Sequence, residues 1–562
     1  MIWLVPLLAS ATQAMVYTDV GEVRACTPLD GGDFLVGTGG GLARVDAHGA
    51  TKRVWTAADG LPGTRIDGLA TIGDRIWVAT DAGAAAITLE GGKLAVVRRA
   101  GSTAVRDVAR FAGADYLALD GGGVTTLGGR PIAFQGTAKL RTHVAALAVA
   151  DGALWAGTAA GLYRLGGGAF ARVTLEPGVA AEVTSLHADG ARLWIATTAG
   201  LYVREGAKVK HLGGGDLRRV TTLDGEIVAA GLGAGLVRVE RGRLVAVAGA
   251  PRELVLAQAI AERAGAACAG GLDGLWLRAR SEAPWIAAGR PAGPPSNDIS
   301  ALAVAGTQLW VGTFDQGLSV YEAGAWRRVT DPAIDPRINA LLVDAQGRIW
   351  IATAAGLSVI DGARISQLTR RDGLPGRSVL ALAQLRDGRI LIGTTSGAAI
   401  IGEGRPVVLA SKQHVEAKNV WAVTEDEDGW LWLGTTTGLF RGRADDATWT
   451  RFSVATGHLR DDWVMALAAR DHALWVGTYK AGITRFDATG SASPAVSPVG
   501  DGWINPGGLR WIGDTLYAAT MEGLRAGAGP LPGLPGRDVT ATATLGSTLW
   551  IATRRGLVAR PL

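Results

Sequence analysis

A threonine with a glycine three or four residues behind it recurs along this chain at Thr38, Thr80, Thr158, Thr197, Thr313, Thr353, Thr394, Thr435, Thr478, Thr520 and Thr553. Degenerate copies around Asp120, Gly231 and Gly270 fill the gaps, giving fourteen copies mostly 39–43 residues apart. A period near 40 with several short apolar runs per unit is the signature of propeller blades. In the copy around Thr197, VTSLHA (183–188), LWIAT (193–197), LYVRE (201–205) and KVKHL (208–212) read as four successive strands with turns between them. LWIAT does not alternate apolar with polar residues, as expected of a strand covered on both faces. Each letter has a use. Trp194 supplies apolar area between blades, and Ala196 is small where sheets approach. The Thr197 hydroxyl can bond a turn amide, and Gly200 can take a positive φ. The Gly punctuation breaks any helical solenoid of the same period.

Fourteen blades exceed the four to eight of an ordinary propeller and divide as seven plus seven. The expected fold is all-β: two seven-bladed propellers of four-stranded antiparallel blades, spanning 15–282 and 283–562. The last copy ends at LVARPL (557–562) without a fourth strand, and two spare strands exist, MVYTDV (15–20) and APWIAAG (283–289). The favoured assignment closes each ring with its own N-terminal strand: MVYTDV beside GLWLRAR (274–280), APWIAAG beside GLVAR (556–560). The alternative pairs MVYTDV with the last blade, so that the rings interlock. A Pro-rich linker, RPAGPPSN, lies at 290–297. Cys26 and Cys268 fall on adjacent blades in this scheme and are read as two buried thiols, with a disulfide as the alternative.

The phrases LWVGTFDQGLSVY (309–321), IWIATAAGLSVI (349–360), LWLGTTTGLFR (431–441), RRDGLPGRSVLAL (370–382), AADGLPGTRIDGL (57–69) and EDEDGWLWLGT (425–435) resemble the two-component regulator propeller repeat. The resemblance covers nearly the whole chain after about residue 15. It implies a double propeller acting outside the cytoplasmic membrane as a ligand-sensing head, often for saccharides. The expectation is of the sensing head alone, without the coupling domain, membrane helix or kinase of that plan. The family supplies no catalytic residues to carry over.

MIWLVPLLASATQA (1–14) is an apolar run followed by small residues, the pattern of a cleaved signal peptide. The expected location is periplasmic or secreted. No other stretch is long and apolar enough for a membrane span. The net charge of +5 is scattered, with basic pairs such as Arg218-Arg219 but no dense run, so nucleic acid is not an expected partner.

Propeller ligands sit at a channel mouth, where each first strand begins. Ring one offers Glu22, Arg65, Arg106, His143, Glu182 and Arg219 there. Ring two offers the expected ligand-binding set: Arg337, Asn339, Arg377, Asn419, Trp421, Asp462, Trp463, Trp503, Asn505 and Asp538, with Asn297, Asp298, Asp461 and Arg537 close by. Tryptophans beside Asn, Asp and Arg suit a saccharide or other polar ligand, through ring stacking and hydroxyl recognition. The seven histidines form no metal-ligand spacing, EDEDG (425–429) lacks the spacing of a calcium loop, and the GLPG and GGG runs lack a phosphate-loop context. No catalytic residue, metal or cofactor is assigned. The favoured function is an exported, non-enzymatic binding protein for a ligand or protein partner. The competing readings are a lyase or hydrolase at a channel mouth, hinted at only by Asp461, Asp462 and Asp538, and an interaction scaffold.

Overall fold

The computed structural model describes residues 15–562 except 91–92, 137–139, 180, 290–292, 403–405, 410–417, 445–448, 488–494, 497–501 and 527–528. The proposed signal peptide lies outside the described residues, and so does part of the linker.

Among the described residues the strands pair into twelve four-stranded antiparallel sheets and one eight-stranded sheet. The latter is two four-stranded repeats joined where Pro131–Phe134 and Ala169–Val173 run parallel. The repeats, numbered one to fourteen in chain order, span 23–55, 66–100, 105–134, 144–173, 183–211, 217–246, 257–287, 299–329, 338–368, 379–408, 422–452, 464–496, 504–530 and 539–561. Among the described residues helix is confined to two 3-10 turns, Ala57–Asp59 and Arg370–Asp372. Both are written by a TxxDG phrase. Thr56 and Thr369 close a capping box with Asp59 and Asp372, and Gly60 and Gly373 end the turn at φ +100° and +105°.

The repeated threonine explains the repeated phrase. All eleven are buried. Each hydroxyl donates to the carbonyl of the glycine that follows, at 2.7–3.1 Å. Each also accepts a turn amide at 3.0–3.2 Å. The turn is thereby satisfied where water cannot reach it. Gly200 sits at φ +122°, and a Cβ there would strike the Gly213 carbonyl. Trp194, 4% exposed, packs against Leu217 and Ile227 of sheet six, the intersheet role its sequence position suggests.

A second device recurs one element earlier. The first strand of most sheets carries a register shift near its start. In four sheets a residue set free by the shift donates to the next sheet. Thr184 donates to Leu217 O at 2.6 Å, Asn339 to Val379 O at 2.7 Å, Asn505 to Val539 O at 2.7 Å, and Thr540 to Ile299 O at 2.7 Å. The next residue is small where sheets crowd: Ala301, Ala340, Ala381, Ala466 and Ala541. The core follows the same logic. It is a series of apolar clusters, each shared by two neighbouring sheets, and sheet one shares a cluster with sheet seven as sheet eight does with sheet fourteen.

The chain divides into two compact units, Asp19–Pro291 and Met1–Thr18 with Ala292–Leu562. The favoured closure is therefore corrected. Met15–Tyr17 pairs with the last strand, Val16 opposite Val558, and sheet seven is completed by Ile286–Ala287, opposite Leu277 and Trp276. Strand Ile286–Ala287 follows Arg278 after a short loop, so sheet seven closes locally at small entropic cost. Sheet fourteen then takes the N-terminal strand. Tyr17 fits there among rings: stacked on Trp550 at 5.4 Å and edge-on to Tyr321 and Trp326 at 5.7 and 5.6 Å.

The cysteines need correction too. Cys26 and Cys268 are bonded, not free, with Cα atoms 6.2 Å apart and a sequence separation of 242. The first strand of sheet one lies against the second strand of sheet seven, which brings two buried side chains to disulfide range.

Candidate functional site

The tops of sheets twelve and thirteen carry an exposed aromatic shelf. Trp463 is 42% exposed and Trp503 46%, against the rule for such large rings. Between them stands Tyr479, stacked on Trp503 at 5.4 Å with 22° between planes and edge-on to Trp463 at 4.8 Å. The backbone holds this arrangement. Asp461 accepts the Trp463 amide at 3.1 Å through one oxygen and the Lys480 amide at 2.8 Å through the other. Tyr479 donates its amide to the Trp463 carbonyl at 2.9 Å. Asp462 accepts the Val454 amide at 2.7 Å. These carboxylates fix loops, and flat faces are left to solvent.

Trp463 and Trp503 were both expected at a mouth. Tyr479 was not, yet a signal existed. In most copies the glycine follows the threonine by three residues; in GTYKAG and GTFDQG it follows by four. Both longer turns place an aromatic next to the threonine. The other is Phe314, which lies under the Arg554 guanidinium at 3.9 Å. Arg554 also pairs with Asp298 at 3.1 Å and with Asp538 at 3.3 Å. Burial pushes the Asp298 carboxyl up, and Arg554 opposes that. Asp538 accepts the Asn505 amide at 2.7 Å as well.

The remaining expected residues scatter. Asn339 and Asn505 spend their amides on the intersheet bonds above, Asn505 being 4% exposed. Arg337 is exposed and grips Asp335 at 3.0 Å. The hydrogen bond from Arg337 holds that carboxyl below its usual range, and Arg377 adds to the field. Asn419 takes a left-handed φ of +51° ahead of sheet eleven, and Trp421 beside it is half-buried.

In the unit Asp19–Pro291, charged residues at the starts of the first strands form an ionic network. Asp67, itself covered, is met by Arg24 at 3.0 Å, Arg65 at 3.1 Å and Arg106 at 3.1 Å. Arg24 also pairs with Glu22 at 2.8 Å, and Arg106 with Asp120 at 2.6 Å. His143 meets Asp120 at 2.8 Å. The hydrogen bond from Arg106, with that from His143, keeps the Asp120 carboxyl below its usual range. Arg219 stands apart, facing Asp107. Among the described residues no cluster of His, Cys, Asp and Glu is arranged to hold a metal ion.

Two segments, 333–355 and 415–437, match the family model of the two component regulator propeller. Those two segments carry the two-component regulator propeller repeat. No curated protein sequence matches it. Among solved structures, the extracellular domain of a protein assigned to the hybrid two component systems of B. thetaiotaomicron is 16% identical, over 96% of this chain and 81% of that one, with a TM-score of 0.41. A GH74 enzyme of Niastella koreensis is 14% identical over 97% and 99%, with a TM-score of 0.65. An ancestral GH74 enzyme is 12% identical over 98% and 99%, with a TM-score of 0.66. At these identities the likeness to the GH74 enzymes is one of fold alone. No helix among the described residues is long and apolar enough to cross a membrane.

Proposed function

We propose that this chain is an exported, non-catalytic binding protein whose fourteen sheets close as two rings of seven. Sheets one to seven form one ring and eight to fourteen the other, the second completed by Met15–Tyr17. The observation that carries the binding role is the aromatic shelf. Two tryptophans nearly half in water, braced by a tyrosine and a doubly engaged aspartate, are costly to leave bare and well suited to stacking on a flat polar ligand. A saccharide fits that chemistry. Arg337, Arg377 and Asp538 supply polar groups along the same set of strand starts, with Asn339, Asn419, Trp421, Asp462 and Asn505 shaping the surface beneath. The periplasm or the extracellular space suits a Cys26–Cys268 bond, which persists where thiols are oxidised.

Glycan-array screening of the full chain, followed by fluorescence titration of the hits, tests this. The expected result is a saturable change in tryptophan emission that Trp503→Ala weakens about tenfold, or roughly 1.4 kcal/mol. A bound glycan whose affinity ignores both Trp463→Ala and Trp503→Ala would move the site elsewhere.

A further inference from the structure

The wedge between sheets five and six is open on its outer side, forming a groove of about 640 Å³. Register places its wall. Arg192 lies opposite Glu205 and Trp194 opposite Val203; on the next strand Lys208 lies opposite Glu205 and Lys210 opposite Val203. These six side chains share one face of sheet five. Sheet six offers only Val239 and, at its outer hairpin, Gly242, where a Cβ would meet the Lys210 ammonium at 2.8 Å. Two other junctions are covered at their outer strands. Tyr17, Tyr321 and Trp326 pack together where sheets fourteen and eight meet, and sheets three and four join their outer strands by hydrogen bonds.

The groove has an apolar lining of Val203, Leu212 and Val239, with Trp194 buried beneath it, and a cationic rim. Arg192, Lys208 and Lys210 face a single carboxylate, Glu205, and no side-chain hydrogen bond or ion pair engages the three cations among the described residues. Lys208–His211 is also the outermost strand of its sheet, with one backbone edge free. Unpaired charge of one sign around an apolar trough selects a partner with the opposite pattern. We propose that this groove docks an extended acidic segment of another protein, an apolar side chain seated against Val203 and Val239 and carboxylates paired with Lys208, Lys210 and Arg192. The site is separate from the aromatic shelf and does not depend on it.

The test is fluorescence anisotropy with the full chain and a fluorescein-labelled heptapeptide, DVEFDVE, against KVKFKVK and against polyglutamate of equal length. The acidic apolar peptide is expected to bind at least about tenfold tighter than either control. Lys208→Glu with Lys210→Glu should weaken it about tenfold or more, with the thermal midpoint of the chain unchanged. Lys208→Ala with Lys210→Ala should give an intermediate loss, which guards against misfolding of the reversed variant. Equal binding of polyglutamate, indifference to both double variants, or no anisotropy change up to millimolar protein would each overturn the proposal.

Discussion

Asp107 sits at a point where burial and hydrogen bonding pull in opposite directions. Its carboxylate accepts the Leu147 amide of sheet four at 2.9 Å and the Val108 amide at 2.8 Å, and Arg219 faces it. Burial outweighs these and pushes its carboxyl up. A carboxyl raised on folding gives its full stabilisation below its unfolded value, about 3.9, and loses it as pH rises through the folded value. Asp107→Asn keeps an acceptor for the amides and removes the charge. The variant should melt above the wild type at pH 8, with the gap closing as pH falls towards 4, as followed by differential scanning fluorimetry. A variant less stable at pH 8 would mean that the Arg219 pairing dominates. The repeated Thr and Gly positions were legible in the sequence, because a buried hydroxyl and a positive φ are demands of a single turn. The fate of Asn339 and Asn505 was not. Their position at strand starts marks a mouth, but whether the amide faces a ligand or the next sheet depends on a bulge that no local pattern records.

At the scale of the element, that bulge is the joint between sheets. Asn505 makes two bonds to sheet thirteen's neighbour, to Asp538 and to Val539 O, from a buried position. Asn505→Ala should cost about 1–3 kcal/mol, the usual penalty for stranding a buried acceptor, measured as a lowered urea midpoint for the unit that contains it. Loss of under about 0.5 kcal/mol would show that water replaces the amide. Hairpins carry a parallel device. Asp344 and Asp426 each accept the indole N–H of the tryptophan six residues on, at 2.7 Å, as well as turn amides. The acidic run around Asp426 is thus a turn, as its Asp-Gly spelling suggests. The aromatic shelf was half legible: the two tryptophans stood out, whereas Tyr479 was announced only by a turn one residue longer than its fellows.

For the whole molecule, four-stranded repeats and their number followed from the period, because each copy carries its own turns and apolar runs. Closure did not follow. Two spare strands of similar composition competed for two open sheets, and the choice rests on tertiary contacts of Tyr17 and on a short local loop. The disulfide was equally hidden, since sequence cannot give the distance between Cys26 and Cys268. Reduction, or Cys26→Ser with Cys268→Ser, should lower the calorimetric transition of the Asp19–Pro291 unit by about 2–5 kcal/mol and leave the other transition in place. Equal shifts in both would mean that the two units unfold as one. The chain's architecture turns on which sheet the N-terminal strand completes, and one crosslink decides it. Val16→Cys with Val558→Cys, in the background lacking the native cysteines, should oxidise to a single bridge seen by peptide mass spectrometry, since the two residues are register partners. A chain that leaves those thiols free, yet bridges Val16→Cys to Leu277→Cys, would contradict the account.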